Sequence, residues 1–192
     1  MIRFTLLLCS TLCSVGRGSE PPPSPGASTA PPPIDRVVAV INGRMLTLSE
    51  LKLDSRIAYL QRGAKDAAFA PLDDPSLRSA LKWVIAERLA SEEAERLRTF
   101  VPTEADLEQA LASFKEKFLV AGAFSLFLKS NDADEQELLA ILFRSLRAQK
   151  YLDSKVHSRG PLTTRRVSDL VKAEIANLEN SADIRLIAPF AR

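Results

Sequence analysis

The sequence predicts a mostly α-helical fold, a helical body of about five to six helices joined to a small antiparallel sheet made by an N-terminal hairpin and a C-terminal strand. Three observations predict it. Asn42-Gly43 sits between two short β-branched runs, apolar residues recur at helical spacing through most of the following chain, and Asp183 to Ile187 (DIRLI) alternates like a strand at the far end. A lone hairpin is marginally stable in water, so the strand near the C-terminus is its natural cover.

Val37 to Ile41 and Arg44 to Leu48 should pair across Asn42-Gly43, because both turn residues tolerate the positive φ of a type I′ turn. Thr47 or Ser49 caps the next helix, in which Leu53, Ile57 and Leu60 recur before Gly63 ends it. Residues 63–72 read as a loop with Phe69 stranded in it. Asp73-Asp74-Pro75 then starts a helix running to about Arg98, with a carboxylate at the cap and proline where its missing N–H costs nothing. Leu77, Leu81, Val84, Ile85 and Leu89 form its apolar stripe, with Trp83 packing beside them. Glu87, Arg88, Glu92, Glu93, Glu95 and Arg96 form its polar side.

Thr103 followed by Asp106 reads as a capping box, and Leu107, Leu111, Phe114 and Phe118 continue that helix at 4-3-4 spacing. After the short apolar piece Ala123 to Lys129, Asn131-Asp132 with Glu135 begins a long helix from about Ala133 to Val156. Leu138, Leu139, Leu142, Leu146 and Leu152 mark its buried side, and Arg144, Arg147 and Lys150 are expected in solvent. Gly160-Pro161 interrupts the chain. Thr163 or Thr164 starts a last helix with Val167, Leu170, Val171, Ile175 and Leu178 facing inward.

The chain has 192 residues, 46% hydrophobic and 26% charged, which fits one globular domain after any processed segment. Residues 1–18 read as a signal peptide: Arg3 precedes an apolar stretch too short to span a bilayer. Cys9 and Cys13 both lie in it, so its removal leaves no thiol for disulfides or nucleophilic chemistry, unless Cys13 is kept as a lipid-attachment point. Residues 19–33 form a linker: Glu20 to Pro33 holds seven of the 12 prolines and almost no apolar surface. The folded domain is expected over 34–192.

Lys plus Arg is 26 against 24 for Asp plus Glu, without a long block of one sign, which excludes the footprint of a nucleic-acid binder. The lone His157 falls at a helix C-terminus, where a cationic or hydrogen-bonding side chain is favoured, and no Cys, Ser or Asp constellation accompanies it. Glu92, Glu93 and Glu95 read as a solvated helix face rather than acid–base machinery. Neither a zinc ligand set nor a phosphate-cradling glycine loop is present in the sequence, so no catalytic residue, metal or cofactor is expected.

The run IDRVVAVINGRMLTLSEL resembles the start of mature SurA-type periplasmic chaperones, in which a Val-rich strand, an Asn-containing turn, a second strand and a Ser/Thr-capped helix follow in this order. LRSALKWVIAERLASEEAERL, VPTEADLEQALASFKEKF, FSLFLKSNDADEQELLAILFRSLRAQKYLDSKV and VSDLVKAEIANLENSADIRLI resemble the family's later elements, so the likeness covers residues 34–187. It rests on order and spacing. The resemblance implies the chaperone domain alone, since only HSRGPLTT, residues 157–164, stands where a parvulin prolyl isomerase domain would be inserted.

What the resemblance implies is a non-enzymatic, ATP-independent periplasmic chaperone module. It would hold unfolded exported or outer-membrane proteins in a hydrophobic crevice, without isomerase activity. Its partners would be extended polypeptide clients, with membrane contact only through a lipid at Cys13. Phe69, Phe118, Phe124 and Phe127, with Leu126 and Leu128, are the client-contact candidates, because such a protein must offer apolar surface without collapsing it. The alternative is a non-catalytic periplasmic adaptor or structural protein for one specific partner.

Overall fold

The computed structural model describes residues 35–157 and 163–190. The expected signal peptide, Cys13, the Pro-rich linker and the Gly160-Pro161 break lie outside the described residues. In chain order the elements are β1 (Val37–Ile41), β2 (Arg44–Thr47), α1 (Leu48–Gln61), α2 (Lys65–Phe69), α3 (Asp74–Arg96), α4 (Glu104–Lys115), α5 (Ala123–Ser130), α6 (Glu135–His157), α7 (Thr164–Ser181) and β3 (Ile184–Leu186). The fold is mostly helical with one small antiparallel sheet, as its sequence predicts.

Strand order is β2-β1-β3, so the C-terminal strand covers the free side of the hairpin. Val40 faces Met45 on one side and Arg185 on the other, and Ile41 is paired with both Arg44 and Ile184. Asn42 (φ 48°) and Gly43 (φ 80°) both take the left-handed conformation that a type I′ turn requires. Asn42 does more than turn the chain. Its backbone N–H donates to the Asp183 carbonyl at 2.9 Å, and its side-chain Oδ1 accepts from the Asp183 N–H at 3.0 Å. The hairpin tip therefore grips the start of the strand that arrives from the other end of the domain.

Behind the sheet lies a core of Val38, Ala39, Ile41, Leu46 and Leu51 against Leu77, Leu81, Val84 and Leu89 of α3. Phe190 completes it. This ring is 3% exposed, and the guanidinium groups of Arg36 and Arg78 lie 6.0 and 5.7 Å from its centroid. Alone after Ala188-Pro189, Phe190 carries no periodic signal in the sequence.

Local chemistry sets the helix starts. Thr47 and Glu50 form a reciprocal capping box at α1, Asp73 accepts from the Ser76 N–H at 2.9 Å at α3, and Thr103 and Asp106 form a second box at α4. At α6 the box is Asp134 with Glu137, through bonds of 2.8 and 3.1 Å, in place of the expected Asn131-Asp132 with Glu135. Both readings fit the same spacing rule. Asn131 instead spends its amide on the Phe127 carbonyl and accepts from Arg56.

Two other expectations need correction. Residues 65–69, expected as loop, form α2, a five-residue helix without a side-chain cap and too short to show a period. Arg144, Arg147 and Lys150, expected in solvent, are each ion-paired to another helix. Arg144 reaches Asp54 of α1 at 2.6 Å and Glu87 of α3 at 3.2 Å. Arg147 reaches Glu95 at 3.4 Å, and Lys150 reaches Asp106 at 2.6 Å. Asp54, only 4% exposed, also meets Arg88 at 3.3 Å, so a charged layer joins α1, α3 and α6.

Burial pushes the Glu87 carboxyl above the usual range, against the pull of Arg144. Burial alone would lower Arg144, but the Asp54 and Glu87 carboxylates outweigh it and hold this guanidinium higher than usual. The last helix, α7, packs on α3 and α6 with its expected inward residues only half-buried, and none is fully enclosed.

Candidate functional site

The four candidate phenylalanines come from three segments: α2, the turn after α4, and α5. The structure brings all four together. Helix α4 ends at Lys115, so Phe118 lies beyond it, held by its backbone N–H on the Lys115 carbonyl at 3.1 Å. Gly122, at φ 80°, opens α5 without a cap, and that helix carries Phe124 and Phe127. The Phe118 ring centroid is 5.7 Å from that of Phe124 and 5.4 Å from that of Phe127. Phe69 meets Phe118 and Phe127 edge-on at 6.4 and 6.0 Å, a favoured aromatic arrangement.

Phe114, fully buried and not among the candidates, joins the cluster from below, within 5.6–6.4 Å of Phe118, Phe124 and Phe127, while Phe118 meets all four other rings. The place of Phe114 in the α4 stripe was legible, but its aromatic partners were not. Exposure divides the candidates. Phe69 is 56% exposed, and Phe118 and Phe124 are half-buried, with the Lys115 ammonium 5.0 Å from the Phe124 centroid. Phe127 and Leu128 are buried and form the floor, whereas Leu126 is exposed. Leu119 and Val120, in the turn that follows Phe118, are more exposed than any of the candidates, at 88% and 72%.

A groove of about 290 Å³ between α4 and α6 shares Phe114 in its wall, together with Leu142 and Leu146. The larger concavity lies elsewhere and is polar. It measures about 810 Å³ and is bounded by the hairpin tip, the second half of α3, the end of α6, and α7. Here Glu92 and Glu93, expected as a solvated face, are largely covered, while Glu95 keeps more than half of its side chain in solvent. All three are paired. Glu92 accepts from Asn42 at 2.8 Å, Glu93 holds Arg96 through two bonds of 2.7 and 2.6 Å, and Glu95 faces Arg147.

Tyr151, buried beneath this cleft, donates its hydroxyl to Glu174 at 2.5 Å. Burial and then that hydrogen bond push its ionisation well above the usual tyrosine range, so it stays a neutral donor. Every carboxylate named here is met by a cation or donor of the protein, an arrangement that stabilises helix packing. Among the described residues, no group of three or more His, Cys, Asp or Glu side chains is placed to hold a metal ion. Among the same residues no helix is long and apolar enough to cross a membrane. Compared with known proteins, the chain matches no family model and no curated sequence.

Proposed function

We propose that this protein is a non-catalytic, ATP-independent chaperone module for exported polypeptides, similar to the chaperone domain of SurA-type proteins, and that its aromatic end contacts the client. One observation carries the reading. Four of the nine exposed large apolar side chains among the described residues, Phe69, Leu119, Val120 and Leu126, lie on the segments that build the phenylalanine cluster. Concentrated apolar exposure of this kind marks an interaction surface more often than it marks chance. In this reading Phe69, Phe118 and Phe124 touch the client, and Phe127 supports them from below.

The mechanism is shielding. Apolar client segments exchange water for aromatic surface, and their release needs no nucleotide, metal or covalent step. The test mixes the full chain with a denatured porin-like client and follows light scattering, with and without Phe69→Ser and Phe124→Ser. The parent is expected to suppress scattering and the double variant to lose most of that protection. A parent that gives no protection would remove this reading and leave the adaptor for one specific partner.

A further inference from the structure

We propose that the first half of α7 is a releasable strap. Residues 164–173 unwind from α3 and α6 as a local unit, while the second half of the helix and β3 stay in place, and this uncovers an apolar groove beside Trp83.

The two halves of α7 are held differently. In the second half, Glu174 accepts from the Tyr151 hydroxyl at 2.5 Å and pairs with Lys155 at 3.4 Å, and Leu178 packs against two buried clusters. Beyond it Asp183 is gripped by Asn42, β3 pairs with β1, and Phe190 is buried. In the first half, among the described residues, no side chain from Thr164 to Ala173 makes a hydrogen bond or ion pair. Val167, Leu170 and Val171 are half-buried, and none of them packs against a buried cluster.

Local chemistry opposes this half as well. Thr163 makes no capping hydrogen bond, Arg165 and Arg166 put cations in the first turn, and Glu179 puts an anion in the last, each the reverse of what the helix dipole favours. Such a helix depends on tertiary packing, and here the packing is thin. A groove of about 300 Å³ is lined by Trp83 and Ala86 of α3, Ala148 and Leu152 of α6, and Val171 and Ile175 of α7. Side chains that meet across unfilled space forgo much of their dispersion attraction. A segment with few buried contacts and no polar anchor opens at a free energy well below that of global unfolding. None of the clustered phenylalanines lines this groove, so α7 shields a second apolar surface, and the inference does not depend on the aromatic end.

Native-state hydrogen exchange of the full chain in low urea tests it, together with acrylamide quenching of Trp83, the single tryptophan. Amides at 168–173, past the unbonded first turn, should be about 100-fold less protected than those of Leu81 to Leu89 in α3, with a weak urea dependence. Val171→Asp should abolish protection at 168–173 and raise quenching of Trp83 while α3 stays protected. Arg165→Glu combined with Arg166→Glu, which suits the helix dipole, should slow exchange at 168–173 about ten-fold. Exchange at 168–173 with the protection and urea dependence of α3 would overturn the proposal. So would a Val171→Asp chain that keeps α7 protected or loses α3 with it, or an Arg165/Arg166 variant whose exchange is unchanged.

Discussion

Asp54 is the residue whose loss should be felt most. It is 4% exposed and accepts from Arg144 at 2.6 Å and from Arg88 at 3.3 Å, tying α1 to both α3 and α6. Asp54→Asn keeps the shape and removes the charge, leaving two guanidinium groups, 22% and 16% exposed, with one carboxylate fewer between them. Breaking a buried pair from one side costs about 3–5 kcal/mol. Here each arginine retains a second carboxylate, Glu87 at 3.2 Å and Glu50 at 3.9 Å, so the expectation is about 2–4 kcal/mol.

For a domain of this size that loss lowers Tm by roughly 5–15 °C. Urea unfolding followed by circular dichroism measures it, and a double-mutant cycle with Arg144→Gln isolates the coupling. Glu50→Gln is the control: it preserves the capping box, touches only the 3.9 Å pair, and should change stability by about 0.5 kcal/mol or less. A change below about 0.5 kcal/mol for Asp54→Asn would refute the view that this charged layer holds the helices in register.

Four further substitutions test local contacts and turn geometry. Asp106 is held at about 2, first by its hydrogen bond with Lys150 and then by the Thr103 backbone and hydroxyl. Its folded value lies below the unfolded one, so its contribution is present above pH ~4 and fades as pH falls toward ~2. Lys150→Met should raise Asp106 in a carboxyl NMR titration and flatten that part of the stability profile. Tyr151→Phe removes the 2.5 Å bond to Glu174 but keeps the edge contact with Phe100 at 6.2 Å. Since Glu174 retains Lys155 at 3.4 Å, urea midpoints should report a loss of about 1–2 kcal/mol. At Gly43, φ is 80° and an added Cβ meets nothing within 4 Å, so Gly43→Ala should cost only the backbone term, about 1 kcal/mol. Asn42→Ala should cost more, about 2 kcal/mol by the same measurement, because it also cuts the bonds to Asp183 and Glu92.

What was legible in the sequence was whatever depends on neighbours a few residues away. Asn42-Gly43, Asp73 with Pro75, and Thr103 with Asp106 each carry their geometry in the local chain, and each lies where the spacing places it, while of the two caps open to α1, Thr47 or Ser49, the fold takes Thr47. Where two local solutions competed, as at the start of α6, the same spacing rule allowed both and only the fold selected Asp134 with Glu137. The charged layer was hidden for a different reason. Arg144 reads as a surface residue on its own helix, and its partners Asp54 and Glu87 lie 90 and 57 positions away. The aromatic candidates were visible as residue types, but their convergence depends on α2 and on α4 stopping before Phe118, neither of which has a periodic signature.

Two of the apolar clusters share helix α1, which bears on how the client test is to be interpreted. Leu51 of α1 packs with the sheet and α3, whereas Leu53, Ile57 and Leu60 of the same helix pack with Phe114, Phe127, Leu138 and Leu142. Asp54, with its arginines, directly follows Leu53 on the same helix. One helix therefore serves both clusters, and a charged layer joins its middle to α3 and α6 where the apolar contacts divide. Phe69 belongs to the second cluster's exposed edge, on a short helix whose main packing partner is α1. Replacing Phe69 with Ser removes edge contacts to two rings and leaves the grip of Asn42 on Asp183 and the sheet core untouched. A fall in client protection without a matching fall in the urea midpoint would then reflect the loss of a contact surface, whereas a parallel fall in both would mean that Phe69 is chiefly packing.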